Sequence, residues 1–346
     1  MGSTFKIITL ASAINEGKVN LFEDTFYDGG SINVENARIK CWKRGGHGAE
    51  TFLQVVENSC NPGFVVLGQR LGTELLYDYL QKFGFGKKTG IDLNGESSGI
   101  MFKLENMGPV ETATTAFGQG ISVTPIQQVT GVSAAINGGT LFKPYIVRSI
   151  NEGETNSVIL LNKPVMVQNV ISEESSALVR YALESVVANG TGKNAYIENY
   201  RVGGKTGTAQ KVKDGKYMVG NYIVSFIGFL PADKPEYVVY VAIDNPKGVS
   251  QYGGTVSAPV AKNVMLSIID YKGYEKVESD TTREYTWLDQ KYIKLPDVVG
   301  TDLKTAKTLL KGFSIEYSGS GESIIAQSPS GNMFVKEGSI VKLMLN

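Results

Sequence analysis

Ser3-Thr4-Phe5-Lys6 opens the run Ile7-Ile8-Thr9-Leu10-Ala11-Ser12-Ala13-Ile14, and the fold follows from how this stretch is read. Phe5, Ile8, Leu10, Ala11, Ala13 and Ile14 recur at roughly helical spacing, and Gly17 supplies a stop. The pattern predicts a helix whose first turn carries Ser3 and Lys6, three residues apart and neighbours on one face. A hydroxyl beside an amine at a helix N-terminus is a nucleophile arrangement. The serine needs a base to take its proton, and the N–H groups of the first turn favour developing negative charge. Alone the pattern is weak, because Ser-x-x-Lys recurs at Ser339-Ile340-Val341-Lys342, in a stretch that reads as an ordinary exposed strand.

The chain has 346 residues, 42% of them hydrophobic, which suffices for a large core and a second small domain. Its 34 basic and 34 acidic side chains balance, which argues against nucleic acid or a polybasic membrane-surface role. No run of about 18 apolar residues exists, so no stretch reads as a membrane-spanning helix, and no signal-peptide pattern precedes Ser3. A nucleophile at position 3 lacks the elements that should flank a buried site. Met1-Gly2 therefore reads as the start of a fragment.

Residues 18–60 read as irregular and glycine-rich, leading into an amphipathic segment from Glu50 to Asn58 that Pro62 stops. Residues 63–85 look like a helical pair. Thr124-Pro125 is a cap-plus-proline start for a helix over 125–136. Gly138-Gly139 turns the chain into a short strand pair around 140–168, and Ser172 caps a helix through about Val187. Gly204 to Ala209 enters a strand, Asp214-Gly215 signals a hairpin, and 217–230 and 237–244 complete three successive antiparallel strands. A helix over 257–270 suits the face of that sheet. Residues 271–294 turn charged and aperiodic, a linker. From Leu295 onward an extended stretch, a helix over 301–311 and three short strands make a compact βαβββ unit of about 50 residues, near the lower limit for an independent domain.

Three elements can carry chemistry together: Ser3 and Lys6, Ser59 and Asn61, and Lys205-Thr206-Gly207-Thr208. Each has decoys, in Ser31-Ile32-Asn33, Ser149-Ile150-Asn151 and Lys88-Thr89-Gly90. Context selects the second Lys-Thr-Gly, because two glycines precede it and a hairpin of long strands follows, so it can border a cleft. The earlier one sits in a loop and reads as structural.

Ser-x-x-Lys, Ser-x-Asn and Lys-Thr-Gly in this order are the elements of penicillin-binding proteins and class A β-lactamases. With Gly45-Gly46-His47-Gly48 and Phe117-Gly118-Gln119-Gly120, residues 2–270 resemble the transpeptidase domain of a class B penicillin-binding protein, and residues 295–346 resemble a PASTA domain. Among these the chain is most similar to the sporulation-specific type. The resemblance implies an α/β (α+β) fold: an antiparallel sheet with helices on both faces plus an all-helical part, then the small PASTA domain. The domains would be 1–270, a linker over 271–294, and 295–346. Before Ser3 the anchor, the pedestal domain and the first strands of the sheet would be missing.

The resemblance also implies roles. Ser3 Oγ attacks the carbonyl of a D-Ala-D-Ala stem peptide in peptidoglycan, forming an acyl-enzyme that β-lactams mimic. Lys6 accepts the proton once burial and a second cation, Lys205, lower its pKa from about 10.4. Ser59 passes a proton to the leaving nitrogen, and Asn61 holds Lys6 and the donor's amide. The N–H groups of Ser3 and Thr208 form the oxyanion hole. Lys205, Thr206 and Thr208 take the peptide's terminal carboxylate, and Gly207 keeps the cleft open. The implied setting is the outer face of the cytoplasmic membrane of a Gram-positive-type bacterium, through an N-terminal anchor absent from this chain. The implied partner there is a glycan-polymerising membrane protein. No organic cofactor is expected. A wall-sensing module that stays acylated without turning over donor is the alternative, and a β-lactamase would need a water-activating carboxylate that the sequence does not place.

The only histidine, His47, and the only two cysteines, Cys41 and Cys60, lie within 20 residues. With Asp28 as a fourth ligand, or Asp24 in its stead, they would complete a tetrahedral structural zinc site. A disulfide between the cysteines, or two free thiols, are the other readings.

Overall fold

The computed structural model describes residues 2–213, 216–277, 279, 281, 283 and 292–346, and it divides into two units, Met1–Thr282 and Arg283–Asn346. The first unit begins with a 3-10 turn, Gly2–Phe5, that runs straight into helix α1 (Lys6–Asn15). Ser3 thus lies one tight turn ahead of the α-helix, and Lys6 is its first residue. A surface helix would show one apolar stripe, but α1 is buried on every side. Its polar side chains survive there because each has partners: Thr9 donates to Ala116 O and Ser12 to Ile8 O, both at 2.8 Å.

Residues 18–60 hold four strands, β1 (Thr25–Asp28), β2 (Ser31–Val34), β3 (Ala37–Lys40) and β4 (Gly48–Thr51), where the sequence suggested irregular chain. They pair antiparallel as β1 with β4 and β2 with β3. Strands of four residues offer too few alternations to register as a period. Helix α2 (Phe52–Glu57) follows behind a capping box made by Thr51 and Gln54. Pro62 does not stop it. It lies in the first turn of α3 (Asn61–Leu71), where a missing N–H costs nothing. The break comes instead at Ser59, whose φ of +54° reverses the backbone between the two helices.

Helices α4 (Thr73–Lys82), α5 (Pro109–Ala116) and α6 (Pro125–Ile136) complete the helical part, α6 behind a Thr124/Gln127 capping box. Two small pairs follow: β5 (Thr140–Lys143) with β8 (Val165–Asn169), and between them β6 (Ser149–Asn151) with β7 (Val158–Leu161). Helix α7 (Glu173–Ala188) starts at Ser172, whose hydroxyl accepts from Ser175 N. The main sheet is β9 (Gly203–Lys213), β10 (Lys216–Leu230) and β11 (Tyr237–Asp244), antiparallel in the order β11-β10-β9. The hairpin residues Asp214-Gly215 fall outside the described residues.

The sheet is covered on both faces. Ile227 and Phe229 join the large core of α1, α3 and α7, whereas Phe226 and Leu230 join a second core with Ala258, Ala261 and Met265 of α8 (Gly253–Lys272). That split is the period-two alternation of a strand buried on both faces. It also accounts for the two glycines before Lys205. A Cβ on Gly203 would stand 2.2 Å from the Phe229 ring, and one on Gly204 2.5 Å from the Phe226 ring. Bare backbone lets both rings lie across the strand that carries the site. Among the described residues no helix is long and apolar enough to cross a membrane.

Beyond α8 the chain stays on the first unit well past residue 270. Val277 N donates to Asn199 O at 2.9 Å, Tyr274 Oη to Glu236 at 2.6 Å, and Ser279 Oγ to Glu184 at 2.6 Å. Of the expected linker, residues 284–291 fall outside the described residues. The second unit contains β12 (Tyr292–Lys294), α9 (Leu303–Leu309), β13 (Ser314–Ser318), β14 (Ile324–Ser328), β15 (Phe334–Lys336) and β16 (Ile340–Leu345). The added strand β15 pairs with β12, while β13-β16-β14 form the main sheet over Leu295, Val298, Ala306, Leu310 and Leu343. The contacts of residues 274–279 set where the chain can be cut. Truncation after residue 282 should leave the thermal transition of the first unit unchanged. Truncation after residue 272 should cost about 1–3 kcal/mol through the lost hydrogen bonds and the exposed Glu184, measured by denaturant unfolding of the two shortened chains.

Candidate active site

The site is assembled from three segments that are far apart in sequence. Lys6 is fully buried at the head of α1, and its Nζ donates to Asn61 Oδ1 at 2.7 Å, to Ser59 O at 2.8 Å and to Ser59 Oγ at 3.3 Å. Ser59 can offer both oxygens to one amine because its left-handed backbone turns carbonyl and hydroxyl to the same side; such a conformation costs a non-glycine residue on the order of 1 kcal/mol. Asn61 opens α3 and is held at its other end too, its Nδ2 donating to Lys40 O at 3.2 Å.

Ser3 is half-buried and reaches the site by way of Gly2, which lies flat against β9. A Cβ on Gly2 would stand 2.9 Å from Thr208 O, and one on Gly118 only 2.2 Å from Gly2 O. The Phe117–Gly120 loop and β9 thus clamp the turn that carries Ser3 between two backbones. Ser3, Ser59, Asn61, Thr206 and Thr208 line one cleft of about 600 Å³. Lys205, from the same strand, is buried beneath it.

Burial is the main force on both lysines. It lowers Lys6 to about 7, against an opposing pull from Cys60 and Cys41. It drives Lys205 well below the usual lysine range, and there the charge of Lys6 adds to it. Repulsion between the two amines adds to burial in the same direction, so the pair does not carry two protons together. With no carboxylate bonded to it, the Lys6 amine is poised to exist as a free base near neutral pH.

A second cluster adjoins the first. One ligand atom each of Asp28, Cys41, His47 and Cys60 lie within 4.8 Å of one another, so the structure brings together all four expected ligands. Asp28 Oδ2 is 2.9 Å from His47 Nδ1 and accepts from Cys60 Sγ at 3.4 Å, and Cys41 Sγ is 3.4 Å from His47 Nδ1. Burial works against the Asp28 carboxylate, yet hydrogen bonds from Cys41, the Gly30 N–H, His47 and Cys60 hold its pKa down at about 2. Contact with Cys41, then burial, pushes the Cys60 thiol far up, and the same contact lowers Cys41. Both cysteines are free thiols. Asp24 is engaged elsewhere, 2.5 Å from Arg70.

The decoys are not among the residues that line the cleft. Thr89 and Gly90 bind the Glu96 carboxylate in a loop, Ser31 and Ser149 lie on β2 and β6, and Ser339-Ile340-Val341-Lys342 belongs to the second unit. Sequence reasoning missed other lining residues: Trp42, Thr191, Tyr222, and Tyr252 with Gly253 and Gly254 at the head of α8. The Gly253-Gly254 pair was a readable signal. A Cβ on Gly253 would stand 2.2 Å from Ser225 O, an approach that only glycine permits.

A buried lysine amine bonded to a Ser-x-Asn element beside a clamped serine, on the rim of a doubly covered antiparallel sheet, defines the penicillin-recognising class of serine proteins. The chain belongs to the penicillin-binding protein transpeptidase family: that domain's family model matches residues 1–266, and the PASTA domain model matches residues 293–346. It is 58% identical over 344 residues to stage V sporulation protein D of Bacillus subtilis (strain 168), covering 99% of this chain and 53% of that protein. It is 32% identical over 270 residues to peptidoglycan D,D-transpeptidase FtsI of Escherichia coli (strain K12), covering 78% of this chain and 43% of that protein. The chain thus spans about half the length of the curated relatives it matches. Among solved structures it is similar to penicillin-binding protein 3 of Mycobacterium tuberculosis complexed with aztreonam. The TM-score is 0.74 at 29% identity, covering 82% of this chain and 65% of that one. Penicillin-binding protein 2X of Streptococcus thermophilus aligns over 100% of this chain and 52% of its own, with a TM-score of 0.69 at 26% identity.

The depressed pKa of Lys6 sets a pH dependence. The amine must be neutral to accept a proton, so the rate of penicillin acylation should be low where Lys6 is protonated, rise with pH through a midpoint near 7, and level off above it. Stopped-flow acylation from pH 5.5 to 9 checks both the direction and the midpoint.

Proposed function

We propose that this chain carries the catalytic domain of a serine D,D-transpeptidase that cross-links peptidoglycan stem peptides and is acylated by β-lactams. The observation that carries the reading is the buried Lys6 amine, held near neutrality and bonded to Ser59 and Asn61 on the cleft that Ser3 lines. Ser3 Oγ gives its proton to Lys6 Nζ as its oxygen bonds the donor's penultimate D-Ala carbonyl. The Ser3 and Thr208 N–H groups receive the developing oxyanion; removing one such donor typically costs about 3 kcal/mol of barrier. The C–N bond then breaks, and the proton reaches the leaving D-Ala amine through Ser59. The amine of a second stem peptide next attacks the acyl carbon and returns Ser3 to its free state. Lys205, Thr206 and Thr208 face the terminal carboxylate, and the open edge at Gly207 takes the extended peptide.

By similarity to the sporulation protein, the reaction belongs to septal or spore-cortex wall synthesis. The setting is the outer face of the cytoplasmic membrane, beside a glycan-polymerising membrane protein. Intact-mass measurement after penicillin treatment should show one adduct, mapping to the peptide with Ser3. An adduct that persists in Ser3→Ala, or that maps to Ser59, would overturn the assignment.

The Asp28–Cys41–His47–Cys60 cluster fits zinc. Two thiols, an imidazole and a carboxylate are a zinc donor set, and three of the four atoms are anionic when deprotonated, so a buried cluster of them calls for a cation. With four protein ligands the ion is structural. Cys60 then fixes the chain between Ser59 and Asn61, and Cys41 fixes it beside Lys40, which holds Asn61. Protein purified under reducing conditions should contain close to one equivalent of zinc by elemental analysis, and a strong chelator should lower both its melting temperature and its acylation rate. Less than about a tenth of an equivalent with an unchanged melt would exclude the site, and a mass two units lower that recovers with reductant would assign a disulfide instead.

A further inference from the structure

Two adjacent glutamines on α6, Gln127 and Gln128, are both buried, yet they use their amides differently. Gln127 has its whole amide engaged: Oε1 accepts from Thr124 N at 2.9 Å, and Nε2 donates to Lys87 O at 2.8 Å and to Ser98 O at 2.9 Å. Those bonds cap the helix and pin two loops. Gln128 is fully buried, and its Nε2 donates to the carbonyl of Thr4 at 3.1 Å, 124 positions away along the chain. Among the described residues its Oε1 has no partner. A buried amide oxygen without a donor is destabilising, and a methionine or leucine would fill the same space without that cost. What an apolar side chain lacks is the N–H for Thr4.

Thr4 directly follows Ser3 in the 3-10 turn Gly2–Phe5. On the other side of Ser3, Gly2 is held between Thr208 O and the Gly118 backbone. The turn is therefore fixed on one flank by close packing and on the other by the Gln128 hydrogen bond, and Ser3 stands between the two. A rotation of the Thr4 peptide plane would carry Ser3 with it. We propose that Gln128 is a positioning residue for acyl transfer: its amide holds the Thr4 carbonyl, and through it the turn that aims Ser3 Oγ at the acyl carbon. The inference rests on the acyl-transfer reading above. A misplacement of about 1 Å can cost an aligned reaction about a hundredfold in rate, so one tether beside the nucleophile can govern the chemical step without touching the ligand.

Stopped-flow acylation by benzylpenicillin, with the binding step resolved from the limiting rate, separates aiming from folding. Gln128→Met nearly keeps the volume while removing both the donor and the unpartnered oxygen, and Gln128→Leu does the same with a branched side chain. In both variants the limiting rate should fall about tenfold, while the binding of benzylpenicillin stays within about twofold. The pH midpoint of acylation should not move, because Lys6 keeps its partners, and Gln128→Met should melt no lower than the wild type. A limiting rate within about twofold of the wild type in both variants overturns the proposal, whether or not the melt is lowered. A fall accompanied by a shifted pH midpoint would place the effect on Lys6 and overturns it too. Hydrogen exchange gives a readout that needs no penicillin. The peptide spanning Ser3 to Ile8 should exchange about tenfold faster in Gln128→Met, with the peptides of α6 at wild-type rates; unchanged exchange in the Ser3 peptide overturns the proposal. A wild type that forms no covalent adduct counts against the acyl-transfer reading, while the exchange rates still decide whether Gln128 holds the turn.

Discussion

The Lys6 amine, fully buried and held by Ser59 O and Asn61 Oδ1, is the contact on which the rest of the structure depends. It spans more than fifty residues of chain and joins the first helix to the junction of α2 and α3. A buried ammonium without a carboxylate partner is costly, and the protein meets that cost by letting the proton go, which is why the pKa sits near 7. The same desolvation that makes the group expensive to bury makes it useful as a base. Around it the fold supplies two acceptors in fixed positions, and these orient the amine whether or not it is charged.

Strain and close approach are concentrated where that amine meets the sheet. Ser59 holds a left-handed backbone so that one residue can present two oxygens, and Gly2, Gly118, Gly203 and Gly253 each lie where a side chain would collide with backbone or ring. Gly2 and Gly118 close the distance between the helical part and β9, Gly203 lets the Phe229 ring of β10 lie across β9, and Gly253 brings the head of α8 against the sheet. The cleft is therefore a seam between two cores, one built on α1 and the other on α8, and the serine stands at the seam. A cleft formed this way holds its width as long as both cores keep their packing.

The loop between β3 and β4 gives the seam a second support. Lys40 O holds Asn61, Trp42 holds the residue before Ser59, and His47 packs on Trp42 while converging with Asp28, Cys41 and Cys60. A segment that reads as irregular is thus tied to the site at three points. Of residues 41–47 only Cys41 is buried, so side-chain chemistry rather than apolar burial does most of the holding there.

The sequence by itself determined the three chemical elements, their order, and the helices and long strands whose period runs over ten or more residues. Those signals are local: Thr124-Pro125 caps a helix wherever it sits, and alternation along 217–230 marks a strand on its own. The candidate metal ligands were legible too, because histidine and cysteine are so rare in this chain that their closeness stood out. Tertiary structure alone decided the rest. The short strands of residues 25–51 exist through pairing, β1 with β4 across 19 or more intervening residues, and four residues cannot announce a partner. Pro62 reads as a stop or a start depending on the turn at Ser59, and that turn is fixed by the backbone bonds that close α2, Ser59 N to Val56 O and Cys60 N to Val55 O, together with the grip of Lys6 on Ser59. Burial of α1 on all sides, the fall of the Lys6 pKa and the place of Trp42 on the cleft all depend on what packs against those residues. Desolvation and close approach are properties of neighbours in space, and the order of residues along the chain does not contain them.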